Sequence, residues 1–391
     1  MRVLLLTFYF HPDLSAGSFR ATALTKALRE IDPSVTVDVV TTMPNRYSSF
    51  PTDAPVIEET DNVTIRRIEL PAHKGGMFDQ SLAYWSFASQ ARNLVRNQQY
   101  DLVVATSGRL MTAVLAAWVA SRKCVPLYLD IRDIFVDTIK DILPRYTALL
   151  TKPLFGAMER WAVERADKVN LVSRGFAGYF EGRYPQKRFS YFTNGIDDEF
   201  LDLQQEGQQE PRHPLPLRVV YAGNIGDGQG LHAILPVLGK RMEGRVDFRV
   251  IGDGSRKELL RAGLDSDGVT NVALLPPMPR DQLIKEYKQA DVLFLHLNDY
   301  DAFKKVLPSK VFEYAAMGKP IWAGITGYSA EFVRTEISNA AVFPPCDAVA
   351  AEQALVNLVI RDAPRSEFVK KFARANICRD LAKDILSLVR P

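Results

Sequence analysis

Cysteine is scarce in this sequence. Only Cys124, Cys346 and Cys378 occur in 391 residues, far apart. No Cys-x-x-Cys pair or Cys/His spacing suits a zinc site, and a sparse, odd set points to a reducing compartment. An excess of one charge is also missing. The 49 Lys and Arg nearly cancel the 46 Asp and Glu, leaving +3, so net charge implies no nucleic-acid partner. No uncharged apolar stretch approaches the ~18 residues that a membrane-spanning helix needs. The apolar start from Met1 to Phe10 is short, lacks a small-residue cleavage site and is broken by His11-Pro12-Asp13. It is expected to be a buried first strand rather than a leader. No carboxylate pair at a recognisable spacing points to a glycoside hydrolase, and no Asp-x-Asp-like metal site stands out, so no metal is expected.

What is present is an ordinary globular composition, 47% hydrophobic and 24% charged, long enough for two or three domains. Short β-branched runs alternate with amphipathic helical segments. Strands are predicted at 3–7, 35–41, 63–68, 102–105, 125–129 and 169–172, with helices at 20–29, 81–96 and 110–120. A polar, Gln-rich, Pro-interrupted stretch at 203–216 reads as a linker. A second series follows, with strands at 217–221, 248–251, 272–274, 292–295, 320–323 and 341–343, and helices at 231–241, 256–262, 280–289 and 309–317. Such alternation specifies βαβ units around parallel sheets. The pattern predicts two doubly wound domains, 1–205 and 206–365, and a last helical segment, 366–391. Ligands of such sheets bind beyond the carboxyl ends of the strands.

Four loops at predicted strand ends carry candidate chemistry. After the first strand, His11-Pro12 leads to Ala16-Gly17-Ser18 and a helix expected from about Phe19. Gly17 would allow close approach of a phosphate, and Ser18 would cap the helix. A plain strand-to-helix turn is the alternative. Ala222-Gly223-Asn224-Ile225-Gly226-Asp227-Gly228-Gln229-Gly230 opens the second series but matches neither a Walker A loop nor a Gly-x-Gly-x-x-Gly fingerprint. Ile251-Gly252-Asp253-Gly254 would let a flat base approach backbone, or is simply a tight turn. In Pro308-Ser309-Lys310-Val311-Phe312-Glu313, Ser309 and Lys310 begin a helix. A cation there opposes the helix dipole unless an anion binds. Glu313, one turn on, is placed to hold ribose hydroxyls. A surface Lys310–Glu313 pair is the alternative.

Taken together, Pro12-x4-Gly17, Thr193-Asn194-Gly195-Ile196-Asp197, Tyr221-Ala222-Gly223, Ile251-Gly252-Asp253-Gly254, the stretch from Leu275-Pro276-Pro277 to Asp291, and Pro308-Ser309-Lys310 through Lys319-Pro320 resemble the GT4 retaining glycosyltransferases. The resemblance spans Met1 to about Val389. The wording around Gly223 and Pro308 is similar to the branch with bacterial O-antigen and capsule enzymes, N-acetyl-fucosamine transferases among them. It implies the α/β GT-B fold, two Rossmann-like domains facing across a cleft, with the C-terminal helix returning to the N-terminal domain. It also implies a cytoplasmic enzyme, with possible peripheral contact at the inner face of the plasma membrane. That enzyme would move a hexose or N-acetyl amino sugar from a nucleotide sugar, UDP-linked by expectation, to a polyprenyl-diphosphate-linked sugar or saccharide acceptor of surface polysaccharide. No cofactor is expected.

The donor-binding residues implied are Gly17, Ser18, Asn224, Gly252, Asp253, Gly254, Pro277, Met278, Ser309, Lys310 and Glu313. Glu313 matches the second Glu of the family's E-x7-E motif, which binds ribose. The first falls on Lys305, and the customary diphosphate Arg and Lys fall near the neutral Asn224 and Gln229. Lys310, the Ser309 N–H and Arg20 are expected to supply positive charge instead. Asp133, Arg132 and Lys310 are the catalytic candidates, and His11, Arg20, Arg132 and Asp133 the acceptor-binding ones. The segment 143–166 carries Leu149, Leu150, Leu154, Phe155 and Trp161 among Lys152, Arg160 and Arg165. It reads as an interfacial amphipathic surface or a core-facing helix pair. Two other functions stay open: a non-hydrolysing nucleotide-sugar 2-epimerase, and a catalytically silent nucleotide-sugar-binding partner subunit.

Overall fold

A computed structural model describes residues 1–44, 53–71, 77–134, 136, 145–201, 203 and 215–389. It divides into two compact units, Met1–Asn194 with Arg374–Pro391, and Gly195–Ala373. The cut thus falls at Gly195 rather than at residue 206. Most of the expected linker, 204–214, lies outside the described residues.

In the first unit, eight strands form one sheet. They are β1 (Arg2–Leu6), β2 (Thr36–Thr42), β3 (Ile57–Thr60), β4 (Val63–Ile68), β5 (Leu102–Ser107), β6 (Leu127–Ile131), β7 (Lys168–Leu171) and β8 (Phe189–Ser190). Their order is β3-β4-β2-β1-β5-β6-β7-β8. Every neighbouring pair is parallel except β3 with β4. Val3 to Leu6 are fully buried, as an apolar run needs to be when a parallel sheet is covered on both faces. β3 escapes the sequence pattern because it is an edge strand carrying Glu58 and Glu59. β6 begins later than the expected Val125. Cys124 takes a left-handed conformation at the end of the preceding helix, and the Val125 N–H still bonds Ala120 O.

The helices of this unit are α1 (Ala16–Ile31), α2 (Met77–Val95), α3 (Leu110–Lys123), α4 (Arg145–Arg165) and α5 (Ala177–Arg183). The final segment is not one helix. A short helix at Ser366–Phe372 stays with the second unit, and the chain extends at Ala373, where Ile196 bridges it. Only Arg374–Leu386 joins the first unit. Its Cys378, Leu381, Ala382, Ile385 and Leu386 form one stripe packed against Ala21, Leu24, Ala27 and Leu28 of α1. Asp384 adds polar ties to Tyr128, Lys168 and Ser190.

The second unit is a six-stranded parallel sheet of β9 (Leu217–Ala222), β10 (Val246–Ile251), β11 (Val272–Leu275), β12 (Val292–His296), β13 (Ile321–Gly324) and β14 (Ala340–Phe343), in the order β11-β10-β9-β12-β13-β14. Helices α6 (Leu231–Arg241), α7 (Lys257–Ser266), α8 (Arg280–Gln289), α9 (Lys310–Ala316), α10 (Gly327–Glu336), α11 (Ala348–Val356) and α12 (Ser366–Phe372) complete it. Trp322, Phe248, Phe294 and Phe343 stack in its core, and the Trp322 indole N–H reaches Ala351 O. Strand order reverses direction at β1 in one sheet and at β9 in the other. Loops at the carboxyl ends of these strands are therefore where ligands of such folds collect.

Candidate functional site

The second unit builds its site from three turns and one short helix. The turn after β9 is held against the turn after β10 by backbone bonds. Gly223 N–H reaches Ile251 O at 3.0 Å, and Ile225 N–H reaches Asp253 O at 2.8 Å. Gly252 is required by this packing. Its φ is +148°, and a Cβ there would stand 1.9 Å from Gly223 O. The smallness of Gly252 and Gly254 therefore serves loop-on-loop packing. Asp253 turns inward to its own loop, accepting from Gly254 N–H at 2.9 Å. Asn224 and Gln229 are joined side chain to side chain at 2.9 Å, so two neutral amides satisfy each other within the glycine-rich loop.

His296, at the end of β12, anchors that loop from behind. Its Nδ1–H donates to Gln229 O at 2.7 Å, and its Nε2 accepts from Cys346 N–H at 3.0 Å. Burial pushes its pKa down to about 4, so it is neutral over the ordinary range. Asn298 and Tyr300 add bonds to the Asp227 carbonyl and carboxylate.

Helix α9 starts at Lys310. Ser309 is already helical in conformation and makes no side-chain cap. Lys310 Nζ donates to Glu313 Oε2 at 2.7 Å and to Tyr287 OH at 3.2 Å. The Lys310 side chain passes beneath Gly223, its Cε 3.8 Å from where a Cβ would lie. Burial lowers the Lys310 pKa, but the Glu313 carboxylate more than compensates and the net direction is upward. Glu313 itself is 6% exposed. Tyr314 OH accepts from Ala222 N–H at 3.0 Å, fixing the end of β9 to α9. Burial raises the pKa of Tyr287 and of Tyr314 well above the usual phenol value, so both act as neutral phenols. Pro277 and Met278, partly exposed, lie in the turn between β11 and α8.

Arg280 is the first residue of α8, and helical periodicity alone gives it no further role. Its guanidinium pairs with Asp197, lies 3.7 Å from Glu199 and 4.0 Å from Glu313, and covers the Phe200 ring at 5.0 Å. The Asn194-Gly195-Ile196-Asp197 motif contained half of this signal, but no sequence spacing links Asp197 to Arg280. Thus Gly223, Asn224, the Gly252–Gly254 turn, Lys310 and Glu313 form one connected cluster, with Arg280, Tyr287 and Tyr314 as added members.

In the first unit Ser15, not Ser18, is the N-cap of α1. It accepts from Ser18 N–H at 3.2 Å, and Gly17 and Ser18 lie inside the first turn. Arg132 Nη1 donates to Ala16 O at 2.9 Å and stands 3.5 Å from where a Gly17 Cβ would be. Burial and the neighbouring Arg20 lower its pKa to about 10, so it stays charged at neutral pH. Asp133 beside it is exposed. Arg20 corrects the expectation placed on it. It is fully buried, forked onto Asp130 at 2.7 and 2.9 Å, and donates to the Phe192 and Thr193 carbonyls. With every donor group committed inward, Arg20 is a framework residue rather than an acceptor contact or a cation for a diphosphate. His11 exposes its side chain, while its carbonyl accepts from Arg67 at 2.9 Å. Among the described residues, no trio of His, Cys, Asp and Glu is placed to hold a metal ion, and no helix is long and apolar enough to cross a membrane.

Comparison with known proteins adds to this geometry. Residues 18–195 match the glycosyl transferase 4-like domain family, and residues 216–361 match glycosyl transferases group 1. A colanic acid biosynthesis glycosyl transferase of Escherichia coli (strain K12) is 25% identical over 169 residues. That match spans 41% of this chain and 41% of the relative. Among solved structures, Anabaena HepE in complex with UDP and glucose superposes with a TM-score of 0.68 at 15% identity, covering 99% of this chain and 100% of that one. Sucrose-phosphate synthase of Thermosynechococcus elongatus gives 0.67 at 14% identity, covering 100% and 96%. The trehalose-phosphate synthase of Burkholderia xenovorans, in complex with glucose-6-phosphate, gives 0.69 at 13%, covering 98% and 100%. At these identities the likeness establishes the fold, two Rossmann-like domains of the GT-B type.

Proposed function

We propose, from the premise that this chain joins a glycosyl transferase 4-like domain to a glycosyl transferases group 1 domain in the GT-B fold, that it is a retaining, metal-independent hexosyltransferase. Its donor is a nucleoside diphosphate sugar, UDP-linked in our reading. Its acceptor is a polyprenyl-diphosphate-linked sugar or a saccharide of bacterial surface polysaccharide, O-antigen or capsule. The observation that carries the reading is the pairing of the half-buried Lys310 with the buried Glu313 beneath the Gly223 turn. A carboxylate and an ammonium lie within one helical turn of each other, which supports reading them as partners of ribose hydroxyls and of a diphosphate. The match to the colanic acid enzyme supports the polysaccharide role.

In this mechanism the acceptor hydroxyl bonds to the anomeric carbon on the face that the leaving group vacates. The bond from that carbon to the diphosphate oxygen breaks, its electron pair leaves with the diphosphate, and a diphosphate oxygen takes the acceptor proton. The products are a glycoside and a nucleoside diphosphate. The protein contributes position and positive charge. Within the second unit, Lys310 and the Ser309 N–H supply that charge to the diphosphate in this reading. Asn224, Gly252, Asp253, Gly254, Pro277 and Met278 border the nucleotide. Arg132 and Asp133, with His11, serve the acceptor.

A membrane-surface contact belongs to the same proposal. Leu82 and Trp85 of α2 are 50% and 76% exposed, and Leu154 and Trp161 of α4 are 56% and 42% exposed beside Lys152 and Arg160. Aromatic and basic groups in this mixture suit an anionic bilayer surface. Of the expected interfacial segment, 143–144 and the side chains of Leu149 and Leu150 lie outside the described residues.

Incubation with UDP- and GDP-sugars and a lipid-linked saccharide tests the proposal. A new glycoside, insensitive to EDTA, is expected. Release of an epimerised sugar nucleotide would make the protein a 2-epimerase. Tight binding without turnover would make it a silent partner subunit, the reading favoured by Lys305 in place of the first Glu.

A further inference from the structure

Two cations approach the Glu313 carboxylate differently. Lys310 Nζ donates to Oε2 at 2.7 Å, whereas Arg280 Nη2 stands 4.0 Å from Oε1. The second separation lies outside hydrogen-bond range, so Oε1 accepts no hydrogen bond among the described residues. Arg280 is drawn off by its other partners. Asp197 accepts from Nη2, Glu199 lies 3.7 Å from Nε, and the Phe200 ring sits against the guanidinium plane. Asp197 to Phe200 form one short turn of the second unit, so a single local element holds the arginine from one side. Three carboxylates and two cations share this small volume. Removing Arg280 leaves Lys310 alone to attract Glu313, which would then turn both oxygens onto the ammonium.

We propose that Arg280, tethered by Asp197, is a positioning residue that keeps Glu313 Oε1 open for a ribose hydroxyl, and thereby sets the preference for ribonucleotides over 2′-deoxyribonucleotides. A vicinal diol needs two acceptors. Oε1 provides one, and Oε2 keeps a lone pair beside Lys310. The proposal rests on the reading of Glu313 as the ribose contact, and the experiment separates the two.

The test is calorimetric titration of the full chain with UDP, GDP and their 2′-deoxy forms. The wild type is expected to favour one ribonucleotide over its deoxy form by about tenfold, the value of one hydrogen bond to a charged group. Arg280→Met should erase most of that preference, Arg280→Lys should restore part of it, and Asp197→Asn should weaken it. In a Glu313→Gln background, Arg280→Met should change the ratio no further. A ratio of affinities on the same folded sample does not move merely because a variant is less stable. A wild-type preference retained in Arg280→Met, or an undiminished further loss in the double variant, overturns the proposal. Unchanged ribonucleotide affinity in Glu313→Gln, or no binding of either nucleotide by the wild type, overturns the ribose reading and this proposal with it.

Discussion

Burial decides the charge of single residues here, and the clearest case is His296. The free imidazole titrates near 6.5 and the folded one at about 4. Between those values the unfolded chain holds one more proton than the folded one. Stability is therefore complete above pH 6.5 and falls as pH drops toward 4, by on the order of 3 kcal/mol. Chemical unfolding at pH 7 and pH 4.5 should show the loss, and His296→Gln should shrink the wild-type difference by roughly 2 kcal/mol. An unaltered difference would show that His296 does not carry it. Arg20 and Arg132 make the contrast for arginine. Arg20 has a carboxylate in its fork, whereas among the described residues the Arg132 guanidinium donates to the Ala16 carbonyl and has its charged neighbours farther off. Asp130→Asn should cost about 3–5 kcal/mol of stability, since it strands a buried charge. Arg132→Met should mainly lower turnover with little change in melting temperature. Reversal of those two outcomes would invert the roles assigned.

At the scale of elements, legibility followed periodicity. The buried parallel strands are continuous apolar runs, and all twelve that pattern alone predicts have bounds within two residues of the observed ones. β3 was hidden because an exposed edge strand needs no apolar face, and β8 because two residues have no period. The last helix shows the same limit from the other side. Its stripe at 378, 381, 382, 385 and 386 is plain in the sequence, but nothing in a helical pattern announces that the turn before it changes units at Ala373. That stripe makes the element essential to the first unit. Leu381→Ala should destabilise by about 2–5 kcal/mol, read as a shift in the denaturation midpoint. Lys383→Ala, on the exposed face, should stay within about 0.5 kcal/mol. Equal effects from the two would mean that the helix does not use this face.

At the scale of the whole molecule, the sequence showed which loops matter but not how they lean on one another. Glycines suggest ligand approach and loop packing equally well. Only the backbone contact between Gly252 and Gly223 assigns the first of them to packing. The Asp197–Arg280–Glu313 connection joins positions 83 and 33 residues apart, a distance that no local motif spans. The near balance of charge likewise concealed strongly local fields. Because each unit has its own sheet and core, a ligand of one unit need not stabilise the other. Lys310, Glu313, Tyr314 and the Gly223 turn all lie within the second unit, so UDP should protect that unit's amides preferentially. At a hundredfold excess over the dissociation constant, linkage supplies about 2.7 kcal/mol. Hydrogen exchange should then slow about a hundredfold in the segments of β9, β12 and α9 that exchange by opening of that unit. Amides of β2 and β4 should keep their rates. Equal slowing in both units would show that the two open together, and protection confined to the first would place the nucleotide there.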